Sequence, residues 1–241
     1  MKCSKHIDGI ELKCDEVLDT FLQGKIRLIQ HKSGYRFSID AILLADFVSV
    51  KKDDVIVELG TGCGVVLVMV LMKYGDIKKA VGIEIQEELA SQALRNAKLN
   101  KVEDKMDVIV ADLRACPIGE SCVDLVVCNP PYRKVRTGRI NPEMQKAIAR
   151  HEILSSLEDV LRTTRFVLRP KGRLALIYPA ERLAHVISKL RRFQLEPKRI
   201  CIQYPSMTAR AKLVMVEAIK GGRPGLHIEP PVIGQGKYSI L

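Results

Sequence analysis

The chain has no tryptophan, and aromatic residues make up only 5% of its 241 positions. So few rings argue against a broad stacking platform for single-stranded nucleic acid. Cys3, Cys14, Cys63, Cys116, Cys122, Cys128 and Cys201 are odd in number, scattered and without a Cys-x-x-Cys pair. That spacing offers no disulfide framework, zinc knuckle or redox pair. His6, His31, His185 and His227 show no ligand spacing either, so no metal is expected. Met1 to Asp15 lacks the apolar core of a signal peptide, and the longest apolar run, Val65 to Met72, is too short to span a bilayer. No membrane partner is expected, and reduced thiols in a cytoplasmic protein are the simplest account.

What the chain does have is charge, unevenly placed. Lys and Arg number 39 against 28 Asp and Glu, a formal charge of +11. Residues 1–132 carry 17 basic and 20 acidic side chains, whereas residues 133–241 carry 22 and 8. The basic surface thus begins late in the chain, which points to a polyanion such as nucleic acid, with a solvated basic face as the plain alternative.

From Asp54 onward, apolar runs alternate with amphipathic stretches, the pattern of an α/β protein with a parallel sheet covered on both faces. The pattern predicts strands at Val55 to Leu59, Ala80 to Ile85, Met106 to Val110, Asp124 to Cys128 and Arg173 to Tyr178. Helices are expected at Val65 to Tyr74, Glu87 to Leu99, Ile153 to Val167 and Ala180 to Arg192. In the second of these, Leu89, Ala90, Ala93, Leu94 and Ala97 form the expected buried stripe. Two late runs, Pro197 to Tyr204 and Lys212 to Lys220, should add an antiparallel hairpin at the sheet edge, making seven strands in a mixed sheet. Upstream, Ile26 and Leu28 alternate with Arg27, Ser33-Gly34 turns, Tyr35 and Phe37 alternate with Arg36, and Asp40 to Val50 reads as a helix. The expected organisation is a hairpin and helix over 1–50, the main domain over 51–220 and a tail over 221–241 that meanders over the surface.

Chemistry concentrates in four places. Glu58-Leu59-Gly60-Thr61-Gly62-Cys63-Gly64 lies between a strand and a helix, where glycines let the backbone turn sharply and approach a ligand. Its spacing is neither the dinucleotide fingerprint nor a P-loop, and a purely structural turn is the alternative. Glu84 ends the next strand, where a carboxylate accepts from ribose hydroxyls. Asp112 follows the third strand, where it could accept from an adenine amino group or simply cap a helix. Asn129-Pro130-Pro131-Tyr132 follows the apolar run Leu125 to Cys128. Alone it is either a proline turn or a clamp for a planar amino group.

In this order the segments resemble the class I S-adenosylmethionine-dependent methyltransferases, with Glu58 to Gly64, Glu84, Asp112 and Asn129 to Tyr132 matching motifs one to four. The resemblance implies a Rossmann-like fold, S-adenosyl-L-methionine as cofactor, and Glu58, Gly60, Gly62, Gly64, Glu84, Asp112 and Asn129 around it. It also implies methyl transfer to an amino or amide nitrogen, with Asn129, Pro130, Pro131 and Tyr132 as the catalytic set. The Asn129 side-chain oxygen and Pro130 carbonyl would accept both hydrogens of the amino group while Tyr132 stacks on the target ring.

The segments Gln30 to Ala45, Ala149-Arg150-His151-Glu152 and Tyr178-Pro179-Ala180-Glu181-Arg182-Leu183 narrow this to a resemblance with the bacterial tRNA adenine-N6 methyltransferases that modify valine tRNA beside the anticodon. The similarity runs from Asp19 to Lys220. It implies a tRNA partner, with adenosine 37 as target and Phe37 and Asp40 over the cofactor; a core hairpin capped by Asp40 is the alternative. Arg133 departs from the family, in which several relatives have an aromatic residue there. Together Arg133, Lys134, Arg136, Arg139, Lys146 and Arg150, against the lone Glu143, make a phosphate-contact candidate. Two other functions fit parts of the pattern: glutamine methylation of release factors, and non-catalytic RNA binding on a methyltransferase fold.

Overall fold

The computed structural model describes residues 5–32, 39–130 and 156–234. Two small hairpins come first. Strands β1 (Lys5–Ile7) and β2 (Ile10–Leu12) are joined by Asp8-Gly9, both at positive φ, 50° and 76°. That is the backbone a two-residue hairpin turn requires, and Asp-Gly is its usual sequence. Strands β3 (Glu16–Phe21) and β4 (Ile26–His31) pair antiparallel across a turn in which Leu22, Gln23 and Gly24 all have positive φ. The hairpin expected around Ser33-Gly34 is a different one, further along the chain. Ile26 to His31 is the second arm of the β3–β4 hairpin, and the arm expected at Tyr35 to Phe37 lies outside the described residues. Helix α1 (Ile39–Phe47) follows, three residues shorter than expected at its end.

The main sheet contains β5 (Val55–Leu59), β6 (Lys79–Glu84), β7 (Met106–Val110), β8 (Val123–Cys128), β9 (Leu168–Pro179), β10 (Leu195–Tyr204) and β11 (Leu213–Lys220). These are the seven expected strands. Two short additions, β12 (His227–Ile228) and β13 (Val232–Ile233), pair parallel with β10. The tail therefore does more than meander: it covers the hairpin edge, in pieces too short to show a pattern. The strand order is β12-β10-β11-β9-β8-β5-β6-β7, with β11 antiparallel to both its neighbours.

Both faces of this sheet are dry. On β5, Ile56 joins a core with α1 and α2 (Val65–Lys73), while Val57 and Leu59 join a second core with α4 (Leu157–Val167) and α5 (Leu183–Arg192), which lie after α3 (Glu87–Leu99) in the chain. A strand buried on both faces has no polar side to show, which is why it reads as a continuous apolar run. Helix α2 is apolar all round for a similar reason, since every residue from Val65 to Leu71 is buried. Helix α4 starts at a capping box in which the Ser156 hydroxyl accepts from the Asp159 amide and the Asp159 carboxylate accepts from the Ser156 amide.

Helix α3 corrects one expectation. Leu94 is 45% exposed, and Gln92 and Asn96 occupy the buried arc with Leu89, Ala90, Ala93 and Ala97. At 3.6 residues per turn, Leu94 falls just past one end of that arc and the two amides fall inside the other. The amides are there for hydrogen bonds. The Asn96 side chain accepts from the Ile29 amide at 2.7 Å and donates to the Ile29 and Cys63 carbonyls. One turn on, Asn100 does the same for both backbone groups of Arg27. The N-terminal hairpin, α3 and the glycine loop are thereby tied into one unit.

Candidate active site

Four strand ends meet at the carboxyl edge of the sheet. The chain lays down β5, β6 and β7 toward one side, then returns to place β8 on the other side of β5. Ligands of open α/β sheets bind in the crevice outside such a reversal, where the loops after the two strands diverge. Leu59 pairs with Cys128, whose thiol donates to the Leu59 carbonyl, so Gly60 and Asn129 leave the sheet side by side. Glu84 pairs with Val110 and its carbonyl accepts from the Ala111 amide, which brings Asp112 to the same edge.

The glycine loop is held from beneath. The Ile83 carbonyl accepts from the Gly60 and Thr61 amides at 2.9 and 3.1 Å, and Gly60, Gly62 and Gly64 have φ of 74°, 56° and 80°. A Cβ on Gly64 would lie 2.9 Å from Ala93 and Met106, whereas one on Gly60 would meet nothing within 4 Å. Gly64 is required by packing, and Gly60 borders open space.

The two acids of this region are buried. Glu84 accepts from the Gly62 amide at 2.9 Å through Oε2 and from the Gln86 amide at 3.0 Å through Oε1. Glu58, 1% exposed, accepts from the Thr61 hydroxyl at 2.5 Å. Burial pushes its carboxyl up to about 8, helped by the charge of Glu84 and opposed by hydrogen bonds from Thr61 and the Leu67 amide. Burial thus favours the neutral acid, and Glu58 braces the loop from below. Asp112 caps the short helical turn Leu113–Ala115 by accepting from the Arg114 amide, and it also pairs with the Arg114 guanidinium, which holds its carboxyl below the usual range. Its capping role is the one visible among the described contacts.

Asn129 is half-buried and Pro130 buried at the end of β8, and Asp40 lies half-buried in the first turn of α1. Phe37, Pro131, Tyr132, Arg133, Lys134, Arg136, Arg139, Lys146 and Arg150 lie outside the described residues. The sequence pattern assigns no role to three supporting residues: Thr61, a brace inside the glycine loop, Gly82 and Asn96. Gly82 had a signal, as a glycine inside a strand marks close approach; a Cβ there would come within 2.6 Å of the Thr61 side chain. Among the described residues no cluster of three or more His, Cys, Asp or Glu could hold a metal, and no helix is long and apolar enough to cross a membrane.

The family model of the methyltransferase small domain matches residues 33–192. This chain belongs to that family. Its membership makes the chain a class I methyltransferase, with S-adenosyl-L-methionine as methyl donor. Within the curated relatives, the tRNA1(Val) (adenine(37)-N6)-methyltransferase of Parabacteroides distasonis is 28% identical over 194 residues, 80% of each chain. The protein of the same name from Porphyromonas gingivalis is 34% identical over 131 residues, 52% of this chain and 50% of that one. Among solved structures, a protein described as a predicted O-methyltransferase from Agrobacterium tumefaciens superposes with a TM-score of 0.63 at 23% identity, covering 80% of this chain and 86% of the other. That likeness shows the methyltransferase fold, not the atom that receives the methyl group.

Proposed function

We propose that this methyltransferase methylates the exocyclic N6 of an adenine in tRNA, namely adenosine 37 of a valine tRNA. The observation that carries the proposal is the placement of Asn129 beside the Gly60 loop at the reversal of strand order. The names of the Parabacteroides and Porphyromonas relatives support this substrate over a release-factor glutamine. S-adenosyl-L-methionine supplies an electrophilic methyl on a positively charged sulfur.

The described residues fit that cofactor. Open space beside Gly60 admits it, and each Glu84 oxygen keeps a lone pair for a ribose hydroxyl after accepting one backbone amide. Asp112 would share its carboxylate between Arg114 and the cofactor's adenine, with Phe37 and Asp40 closing over it. The Asn129 oxygen and the Pro130 carbonyl would accept the two hydrogens of the target amino group. Fixing those hydrogens would point the nitrogen lone pair at the methyl carbon, and Pro131 and Tyr132 would serve as a stiff turn and a stacking ring for the adenine. No strong base would be needed before attack: the nitrogen–methyl bond would form as the sulfur–methyl bond breaks, the sulfur would leave as a neutral thioether, and the nitrogen would release its proton afterwards. Most of the rate then comes from alignment in a site closed to water. Arg133, Lys134, Arg136, Arg139, Lys146 and Arg150 would hold the tRNA backbone, and a tRNA substrate places the enzyme in the cytoplasm.

The test is nucleoside mass spectrometry of unmodified valine tRNA incubated with enzyme and cofactor. One N6-methyladenosine per tRNA is expected. Unchanged tRNA together with a methylated release factor would replace this reading with the glutamine one.

A further inference from the structure

The turn between β10 and β11 stands on the same edge of the sheet as Asn129. Strand β9 runs parallel to β8, and its end is fixed to this turn by the pairing of Pro179 with Leu213 and by the Ala180 amide donating to the Lys212 carbonyl at 3.0 Å. With neighbouring strands roughly 5 Å apart and Pro179 lying about 10 Å along β9 beyond Leu176, the partner of Cys128, the turn starts about 14 to 18 Å from the β8 end, a distance suited to an oligonucleotide and not to a single base. Its base is braced from both sides. The Lys212 amide donates to the Gln203 carbonyl, the Gly234 amide to the Tyr204 carbonyl, and the Gln203 side chain to the Gly234 carbonyl.

This braced turn presents two exposed cations and one exposed thioether. Arg169, Arg173, Lys189 and Arg199 each have a carboxylate partner. Arg210 and Lys212 are exposed, and neither has an ion-pair partner among the described residues. Met207, at 81%, is the most exposed large hydrophobic side chain among them. Arg182 follows β9 on the same edge, beside one acid, Glu181. Two cations three and five residues after an exposed thioether match an unpaired nucleic-acid strand, in which phosphates alternate with flat bases.

We infer that the β10–β11 turn is a second RNA-contact element, with Arg210 and Lys212 on phosphates flanking the target nucleotide and Met207 against a neighbouring base. The inference rests on the tRNA reading above. It adds a specificity element on the side of the site away from the cofactor.

The test compares the wild-type enzyme with Arg210→Ala/Lys212→Ala, Met207→Ala, and the charge-retaining Arg210→Lys/Lys212→Arg. The double alanine variant should raise KM for tRNA roughly tenfold and flatten the slope of log affinity against log salt by about 1.4, the value for two single-strand phosphate contacts. Cofactor affinity by calorimetry should stay at the wild-type value, and the charge-retaining variant should restore the salt slope. Met207→Ala should raise KM several-fold without changing that slope. If the wild-type enzyme methylates tRNA and the double variant keeps its KM and salt slope, the turn is not an RNA contact and the tRNA reading stands. If the wild-type enzyme neither methylates nor binds tRNA, both readings fall.

Discussion

On the β5 to β7 side of the sheet's carboxyl edge, Glu58 and Glu84 are buried and anchored by hydrogen bonds; on the β9 to β11 side, Arg210 and Lys212 are exposed and unpaired. The first arrangement costs desolvation in advance and gives a fixed acceptor whose strength salt hardly alters. The second leaves its charges hydrated and acts on a polyanion by counterion release, which salt governs. The reversal of strand order divides the two, and Asn129 stands on the dividing line. A small, invariant ligand suits the rigid side, and a large, variable one suits the screened side.

The sharpest break targets the dividing line. Asn129→Ala should lower single-turnover methyl transfer by about a thousandfold while calorimetry still registers the cofactor, because one positioned partner of the reacting group is worth two to three orders of magnitude. Retained turnover would remove Asn129 from the chemistry. On the rigid side, Glu84→Gln puts an amide where two backbone N–H groups need acceptors. Cofactor affinity should fall about ten- to a hundredfold with no change in salt dependence. A salt-dependent loss would erase the distinction between the two sides.

Gly64→Ala probes packing alone. With φ at 80° and a Cβ at 2.9 Å from Ala93 and Met106, it should cost about 2 kcal/mol, read as a lower urea midpoint. The last effect is a dependence on pH and concerns Glu58. Between its ordinary 4.5 and about 8, the unfolded chain is ionised there while the folded chain keeps the proton. Wild-type stability should therefore fall as pH rises through that window, and Glu58→Gln should flatten the fall. Parallel pH profiles of the melting temperature would remove Glu58 from the effect.

How legible these features were follows from their physics. Strands β5, β6 and β8 are largely buried on both faces and stand out as apolar runs, and edge strand β7 still shows Val108-Ile109-Val110, so the motifs that follow them can be placed at one edge of the sheet from the amino-acid pattern alone. Strand β3 cannot be read that way, because Glu16 and Asp19 interrupt its alternation, and the Gln23-Gly24 turn gives a weaker signal than Ser33-Gly34. Asn96 and Gln92 are hidden by their type: a polar residue in an apolar arc reads as noise until its partner on a distant strand is known. Asp112 shows the opposite limit, since one carboxylate position satisfies a cap and a ligand contact equally well in sequence.

The pair Asn96 and Asn100 has a consequence for how the chain avoids its neighbours. Residues four apart on a helix rise about 6 Å, close to the roughly 7 Å between alternate strand residues, so the two carboxamides match the repeat of Arg27 and Ile29. Helix α3 in this way imitates a missing strand along β4. An open edge of that kind is a template on which another copy could polymerise, and here two side chains close it.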